Sequence, residues 1–243
     1  MSQEARGHIL LRHVSFAYVA DRPTLDDVTL EVTPGAVLAL VGRSGSGKST
    51  LLKLINRMLL PSSGAVTVDT RDTRAWDAIR LRRHIGYVLQ DVGLFPHMTV
   101  GDNVSLLPTL EGWTDARRET RARELLHLVG LPYDEWAARW PRDLSGGQRQ
   151  RIGVARALAL DPPILLMDEP FGALDPVTRA ELRREFLRIQ QSLGTTVVIV
   201  THDMAEAFAL ATHIGVLHDG RLLVCDTPNV VRASADERVQ VFL

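Results

Sequence analysis

The hydrophobic and polar residues of this chain follow two kinds of pattern. Residues 9–18 and 24–32 alternate apolar and polar positions, which predicts two half-exposed antiparallel strands joined by a turn at residues 21–23. Three later segments are instead apolar almost throughout, which is typical of strands buried on both faces: residues 36–41, 163–168 and 195–201.

Helical periodicity follows each of these buried segments, starting at Lys48 and covering residues 176–193 and 203–211. Alternating strands and helices predict an α/β protein with a mainly parallel core sheet, to which the first two strands add an N-terminal antiparallel β subdomain. Residues 91–143 carry helical charge patterning and three of the four tryptophans. We therefore predict one domain over residues 1–243, with an α-helical subdomain inserted at about 91–143.

A glycine-rich segment, GRSGSGKST, lies between the first buried strand and the helix that follows it. Gly42, Gly47, Lys48 and Ser49 match the G-x-x-x-x-G-K-[ST] pattern of a phosphate-binding loop. Glycines let successive backbone N–H groups surround a phosphate, and the next helix adds the positive end of its dipole. Lys48 would place its charge on the outer phosphates, and the Ser49 hydroxyl suits Mg²⁺. The pattern and its context predict a P-loop NTPase.

The segment ILLMDEP ends a buried strand with two carboxylates, Asp168 and Glu169. We expect this strand to lie next to the strand of the phosphate loop, where Asp168 could hold Mg²⁺ through water. Glu169 could polarise a water molecule that attacks the γ-phosphate. Two acids at a strand end can also be simple capping residues, but their combination with a phosphate loop favours catalysis.

The segment LSGGQ, residues 144–148, is a second candidate anion site. Ser145 and Gln148 have the spacing of a capping box that begins a helix, and a helix start with a serine and two glycines can also bind an anion. One chain needs one phosphate loop for its own nucleotide. The second segment therefore indicates contact with the γ-phosphate of a nucleotide bound by another subunit.

Taken in order, the segments GRSGSGKST, LSGGQRQR and ILLMDEP, with Gln90, residues 173–175 (ALD) and His202, resemble the ATP-binding subunits of ABC transporters. The resemblance covers nearly the whole chain. It implies an ABC nucleotide-binding domain that works as a dimer, a homodimer in our expectation, with two ATP molecules sandwiched between head-to-tail copies. Each ATP would lie between Lys48 of one copy and residues 145–148 of the other.

The resemblance also implies a role for each matching residue. Tyr18, otherwise an ordinary tyrosine at a strand end, would stack on adenine. Asp175 would cross the dimer seam and also cap the helix that begins at Pro176. The catalytic residues would be Glu169, His202 at the γ-phosphate, and Gln90 at the attacking water. Mg²⁺ would be held by Ser49, Gln90 and Asp168. ATP would contact Tyr18, Gly42, Ser44, Gly45, Ser46, Gly47, Lys48, Ser49, Thr50, Ser145, Gly146, Gly147, Gln148 and Asp175.

A finer resemblance, over residues 54–64 and 85–104, is to the ATPases that import glycine betaine, choline and related quaternary amines. It implies transmembrane permease subunits as partners, an extracytoplasmic solute-binding protein as an indirect partner, and a place on the cytoplasmic face of the inner membrane. Residues 95–98 would lie near the permease, or form a buried turn. An importer of amino acids or another small solute remains an alternative, as does a soluble ABC ATPase.

Composition narrows these alternatives. The formal net charge is −1, which gives no general attraction to nucleic acid. No apolar run approaches the roughly 20 residues that cross a bilayer, so we expect a function in transport to need a partner that spans the membrane.

Two departures from the osmoprotectant group stand out. Many members carry paired regulatory domains that the sequence up to Leu243 does not include, so we do not expect ionic-strength sensing. Thr70 replaces the usual hairpin glycine, which we expect to change a turn and not catalysis.

Overall fold

The computed structural model describes residues 6–172 and 174–243. Residues 1–5 of the predicted domain and Ala173 of the predicted 173–175 motif therefore lie outside the described residues. The described strands are β1 (Ile9–Val19), β2 (Arg22–Val32), β3 (Val37–Val41), β4 (Ser63–Val68), β5 (Arg71–Asp72), β6 (Ile85–Val88), β7 (Ile164–Asp168), β8 (Thr196–Thr201), β9 (His213–His218) and β10 (Arg221–Asp226). The described helices are α1 (Lys48–Ile55), α2 (Ala78–His84), α3 (Val100–Leu110), α4 (Asp115–Leu128), α5 (Tyr133–Trp136), α6 (Gly146–Ala157), α7 (Pro176–Leu193), α8 (Met204–Leu210), α9 (Pro228–Arg232) and α10 (Glu237–Gln240).

The core is a six-stranded sheet with the order β10-β9-β3-β8-β7-β6. Its strands are parallel except for β10, which pairs antiparallel with β9 at one edge. The prediction that the Asp168 strand neighbours the phosphate-loop strand is wrong, because β8 lies between β3 and β7. An apolar run identifies a buried strand, but the order of parallel strands depends on how the crossover connections pass over the sheet.

A second sheet, with the order β2-β1-β4-β5, is antiparallel throughout and confirms the N-terminal β subdomain. The turn between its first two strands is tighter than predicted, since β2 already begins at Arg22. Thr70 does lie in a hairpin turn, between β4 and β5, where its φ of 66° is in the left-handed region that favours glycine.

Alternating residues of β3 face two hydrophobic clusters, which explains why this strand is apolar throughout. Val37, Ala39 and Val41 pack in a cluster with residues of α4, α6 and α7. Leu38 and Leu40 pack on the other face with α1 and the antiparallel sheet. The sheet is thereby covered on both faces, and its carboxyl edge remains available for polar loops.

Helices α3, α4 and α5 all lie within residues 91–143, and α6, which follows this segment, packs against α3. The boundaries of an inserted helical subdomain stay a prediction. Among the described residues, the helices are all too short or too polar to pass through a bilayer.

Candidate functional site

The phosphate loop connects the carboxyl end of β3 to the start of α1 and passes close to two other segments. Gly47, just before α1, has φ = 101°, and a side chain there would meet the Thr24 carbonyl oxygen at 2.8 Å. A side chain at Gly42 would overlap the Leu217 carbonyl of β9. These positions therefore require glycine, one for its backbone conformation and both for packing.

Lys48 is held inside this loop and is 6% exposed. Its Nζ donates hydrogen bonds to the carbonyl oxygens of Gly42 at 2.7 Å and Arg43 at 2.9 Å. Burial lowers the pKa of Lys48, although the carboxylates of Glu169 and Asp168 oppose that shift. An ammonium has three donors, so one remains for an anion bound by the loop.

Oxygen ligands lie beside the lysine. The Ser49 hydroxyl donates a hydrogen bond to Asp168 Oδ1 at 2.9 Å, and Asp168 itself is 9% exposed. Burial raises the pKa of Asp168, which the hydrogen bond from Ser49 partly offsets. A hydroxyl, a carboxylate and the amide oxygen of nearby Gln90 form the donor set that Mg²⁺ prefers, so these three residues fit that ion.

Most of the predicted site residues line one cleft of about 540 Å³ above the phosphate loop. The residues that line it are Tyr18, Thr24, Ser44, Gly45, Gly47, Lys48, Ser49, Thr50, Gln90, Glu169 and His202. Gly42 and Ser46 belong to the loop beneath, where Ser46 Oγ is buried and has no hydrogen-bond partner among the described residues. An unsatisfied hydroxyl inside a loop of this kind suits a ligand oxygen.

Glu169 and His202 both line this cleft and are in contact with each other. His202 Nδ1 lies 3.3 Å from Glu169 Oε2, and the two side chains are 64% and 25% exposed. Glu169 has a φ of 45°, an uncommon backbone conformation that turns the chain sharply after β7. Its amide donates to the Val200 carbonyl of β8 at 3.0 Å. Because β8 adjoins both β3 and β7, it brings His202 to the phosphate loop and to Glu169.

Tyr18 lies at the far end of the cleft and is 58% exposed. Its ring is supported edge-on by Phe16, with centroids 4.8 Å apart, and its hydroxyl lies 3.3 Å from Thr50 Oγ1. A supported and accessible aromatic ring at this place can stack on a planar ligand.

Asp168, although bonded to Ser49, does not line the cleft, and neither do two further groups of predicted residues. Ser145 and Gln148 form the predicted capping box of α6: the Gln148 amide donates to Ser145 Oγ at 3.3 Å, and the Ser145 amide donates to Gln148 Oε1 at 2.8 Å. Gly146 and Gly147 lie in the first turn of that helix. Asp175 caps α7 by accepting from the amides of Val177 and Thr178, and its bonds to Thr178 lower its pKa.

Thr24 lines the cleft but is absent from the predicted site. Its carbonyl approaches both Gly47 and Gly220, so β2 forms one wall of the phosphate loop. The sequence offers no local pattern that indicates this contact, because it depends on how the antiparallel sheet lies against the core sheet.

Comparisons with known proteins agree with this geometry. Residues 25–172 match the ABC transporter family. The choline transport ATP-binding protein OpuBA of Bacillus subtilis (strain 168) is 47% identical over 236 residues, which are 97% of this chain and 62% of OpuBA. The glycine betaine uptake system ATP-binding protein YehX of Escherichia coli (strain K12) is 46% identical over 231 residues, 95% of this chain and 74% of YehX.

A solved structure extends the likeness to three dimensions. The dimeric post-hydrolysis state of the ATP-binding cassette MJ0796, bound to ADP and Pi, superposes with a TM-score of 0.79 at 34% identity, covering 90% of this chain and 98% of that one. The chain spans about three fifths of the length of the first curated relatives that it matches. The resemblance indicated by the sequence motifs is confirmed: the chain belongs to the ABC transporter family.

Proposed function

We propose that this chain binds and hydrolyses ATP to power an importer of quaternary amines such as glycine betaine or choline. The observation that carries the hydrolytic part is the cleft itself, where Glu169 and His202 face each other above the buried Lys48. A cation for phosphates and a carboxylate for water then line the same space.

ATP would bind with its base on Tyr18 and its phosphates in the loop. Backbone amides of residues 42–49 would donate to phosphate oxygens, and Lys48 would supply the positive charge closest to them. Ser49, Gln90 and Asp168 would hold Mg²⁺, which when bound neutralises charge on the phosphates. Burial of Lys48 and Asp168 strengthens these electrostatic interactions because little water screens them.

Hydrolysis would depend on the pair formed by Glu169 and His202. Glu169 would accept a hydrogen bond from the attacking water and so orient it in line with the γ-phosphate. His202, 3.3 Å from Glu169, would contact the γ-phosphate and hold the carboxylate in place. Gln90 would contact both the ion and the water.

A second ATP-binding subunit would complete the site, and a second copy of this chain is our proposal for it. Ser145, Gly146, Gly147 and Gln148 lie at the start of α6, outside the cleft of their own chain. Ser145 and Asp175 are exposed, whereas Gly147 is buried. The first amides of a helix have no partner within the helix, so this start can donate to a γ-phosphate held by the other copy. Half of the phosphate surroundings would then arrive on dimer closure, which ties hydrolysis to a movement.

The remaining parts of the assembly are proposed from the relatives. OpuBA and YehX are ATP-binding proteins of choline transport and glycine betaine uptake. By analogy, closure would move transmembrane permease subunits at the cytoplasmic face of the membrane, where this chain would be a peripheral subunit. An extracytoplasmic solute-binding protein would deliver the amine. Nucleic acid has no part in this proposal.

Substitution of Glu169 tests the hydrolytic proposal. Glu169→Gln keeps the shape of the side chain but removes its charge, so ATP should still bind while kcat falls by roughly 100-fold or more. Steady-state phosphate release and equilibrium binding of ATP measure the two effects. Glu181→Gln, the same change at an exposed position of α7, should behave as the wild type. A Glu169→Gln protein that turns over at the wild-type rate would remove Glu169 from this role.

Isolation of partners tests the transport proposal. The tagged chain, extracted from native membranes in mild detergent, should retain a permease and a solute-binding protein that mass spectrometry can identify. That binding protein can then be titrated with betaine, choline and amino acids. Binding of amino acids alone would replace the proposed solute, and recovery of soluble partners alone would overturn the importer.

A further inference from the structure

A partly buried cluster of charged side chains lies next to His202. It consists of Arg179 and Arg183 from α7 and of Asp203 and Glu206 from the start of α8, and we call it the α7–α8 charge cluster. A small cavity bordered by Glu169, His202 and three of these residues connects it to the cleft. None of the four residues lines the cleft itself.

Arg183 joins the two helices. One nitrogen of its guanidinium, Nη2, donates to Asp203 Oδ2 at 3.0 Å and to Glu206 Oε2 at 2.7 Å. Asp203 also caps α8, because its Oδ1 accepts from the Glu206 amide at 3.1 Å. A single arginine therefore attaches the first turn of α8 to α7, directly after His202.

Arg179, one turn earlier on α7, extends these contacts to the loop that follows Glu169. Its Nη2 donates to the Leu174 carbonyl at 2.9 Å, and its Nη1 lies 4.0 Å from Asp203 Oδ2. Leu174 immediately precedes Asp175. The cluster thus touches the loop between Glu169 and Asp175 on one side and the turn of His202 on the other.

The buried atoms of this cluster are costly to remove from water. Glu206 is 4% exposed, and among the described residues its Oε1 and the Nε atoms of both arginines are buried without hydrogen-bond partners. Apolar side chains of similar volume often fill such a space at equal or lower free energy. The charges are therefore poorly explained by stability, whereas the directional bonds of a guanidinium fix one orientation of α8 relative to α7.

We propose that Arg183, supported by Arg179, is a positioning residue that holds the His202 turn against α7. His202 then stays opposite Glu169, and the loop that leads to Asp175 moves together with both. This inference rests on the proposed hydrolysis of ATP. Asp175 is expected to lie at the dimer seam. A shift of Asp175 when the second subunit binds would therefore also shift Glu169 and His202, because the α7–α8 charge cluster joins them.

Arg183→Met tests the proposal because it keeps an unbranched side chain that fills most of the same space and removes the charge and the hydrogen-bond donors. We expect kcat to fall by roughly 10- to 100-fold, the size of effect that a misplaced catalytic group produces. KM for ATP and ATP affinity should stay at the wild-type values, because Lys48 and its loop are untouched. Arg184→Ala, an exposed arginine on the same helix whose only described hydrogen bond is to its own helix, is the matched control. It should retain full activity.

A second variant separates positioning from stability. Arg183→Met leaves the Glu206 carboxylate buried and unpaired, which by itself can destabilise the fold. Arg183→Met/Glu206→Gln removes that buried charge as well, so thermal unfolding should return toward the wild-type midpoint while kcat stays low. Return of kcat together with stability would overturn the positioning role.

Combination with His202→Ala gives a third measurement. If Arg183 acts through His202, single-turnover hydrolysis by Arg183→Met/His202→Ala should be as slow as that by His202→Ala and no slower. Additive losses would contradict the proposal. If the wild-type chain does not hydrolyse ATP, the proposed function fails. If it does and Arg183→Met/Glu206→Gln has the wild-type kcat, this inference fails alone.

Discussion

The phosphate loop and the start of α6 are both glycine-rich segments that precede a helix, but their surroundings differ. The phosphate loop borders a cleft and encloses Lys48, and Asp168 and Glu169 lie nearby. The start of α6 has its own capping box and lies outside that cleft, with Ser145 exposed. The first borders a cleft within one chain, whereas none of residues 145–148 lines that cleft.

This difference shows how the same local geometry can serve two purposes. Backbone amides at a helix start attract anions in both segments. In the phosphate loop they act with a buried lysine, so the affinity for phosphate belongs to one chain. The start of α6 lies outside the cleft that holds Lys48, so under the proposed function its amides contribute only when a second subunit binds. Substitutions in the phosphate loop should therefore impair ATP binding or turnover, whereas substitutions at the start of α6 should impair association with the second subunit.

Lys48→Ala should have the largest effect. Removing the buried cation should lower kcat/KM by roughly 100- to 1,000-fold, the range observed when one electrostatic donor to a developing charge is lost. Steady-state ATPase kinetics and ATP binding measure it in the isolated chain. Lys53→Ala, at the next lysine along α1, should cost far less. If Lys48→Ala had wild-type kinetics, the buried lysine would not distinguish the phosphate loop from the start of α6.

Ser145→Arg should affect association and leave nucleotide binding intact. A long charged side chain at the start of α6 would block the approach of a second chain, while Lys48 and its loop remain unchanged. In a Glu169→Gln background, ATP should produce dimers that analytical ultracentrifugation detects, and Ser145→Arg should abolish them. Dimers that form normally in this variant would contradict contact between α6 and the second subunit.

The capping boxes of α3 and α6 offer a matched pair with a smaller effect. Thr99 and Asp102 form the same reciprocal bonds as Ser145 and Gln148. Thr99→Ala and Ser145→Ala should each lower the free energy of unfolding by about 1 kcal/mol. Ser145→Ala should in addition slow ATP hydrolysis by roughly tenfold, through loss of one charge-assisted bond. If Thr99→Ala and Ser145→Ala hydrolyse ATP at the same rate, Ser145 only caps α6 and does not take part in hydrolysis.

Asp69→Asn should have the smallest effect and concerns a carboxylate far from the site. Burial alone would raise the pKa of Asp69, but bonds from His84 at 2.5 Å and from the amides of Gly7 and His8 outweigh it and lower the pKa. A lowered native pKa stabilises the fold above the unfolded pKa and loses this contribution as pH falls through the native value.

The stability difference between wild type and Asp69→Asn should therefore be largest near neutral pH and shrink between about pH 5 and about pH 2. Thermal unfolding across this range measures it. A difference that does not change with pH would show that Asp69 is not ionised in these bonds. Beside the phosphate loop, by contrast, burial raises the pKa of Asp168.

Much of the fold could be predicted because local sequence patterns specify its helices and strands. Residues 176–193 carry a helical period between an aspartate cap and a glycine, and α7 has those bounds, with Gly194 at φ = 62°. The capping box at Ser145 was likewise predictable from its spacing. The order of β3, β8 and β7 could not be predicted, because three similar apolar segments do not indicate which strands pair with each other.

By itself, the sequence determined the phosphate loop, the DE pair and the start of α6, because glycine, lysine and capping residues act over a few positions of backbone. Only the tertiary structure decided that β8 lies between β3 and β7 and so brings His202 within 3.3 Å of Glu169. It alone made Thr24 a wall of the cleft and joined Arg183 to Asp203 and Glu206. These contacts join residues far apart in the chain, and their distances depend on how helices and sheets pack, which no local pattern specifies.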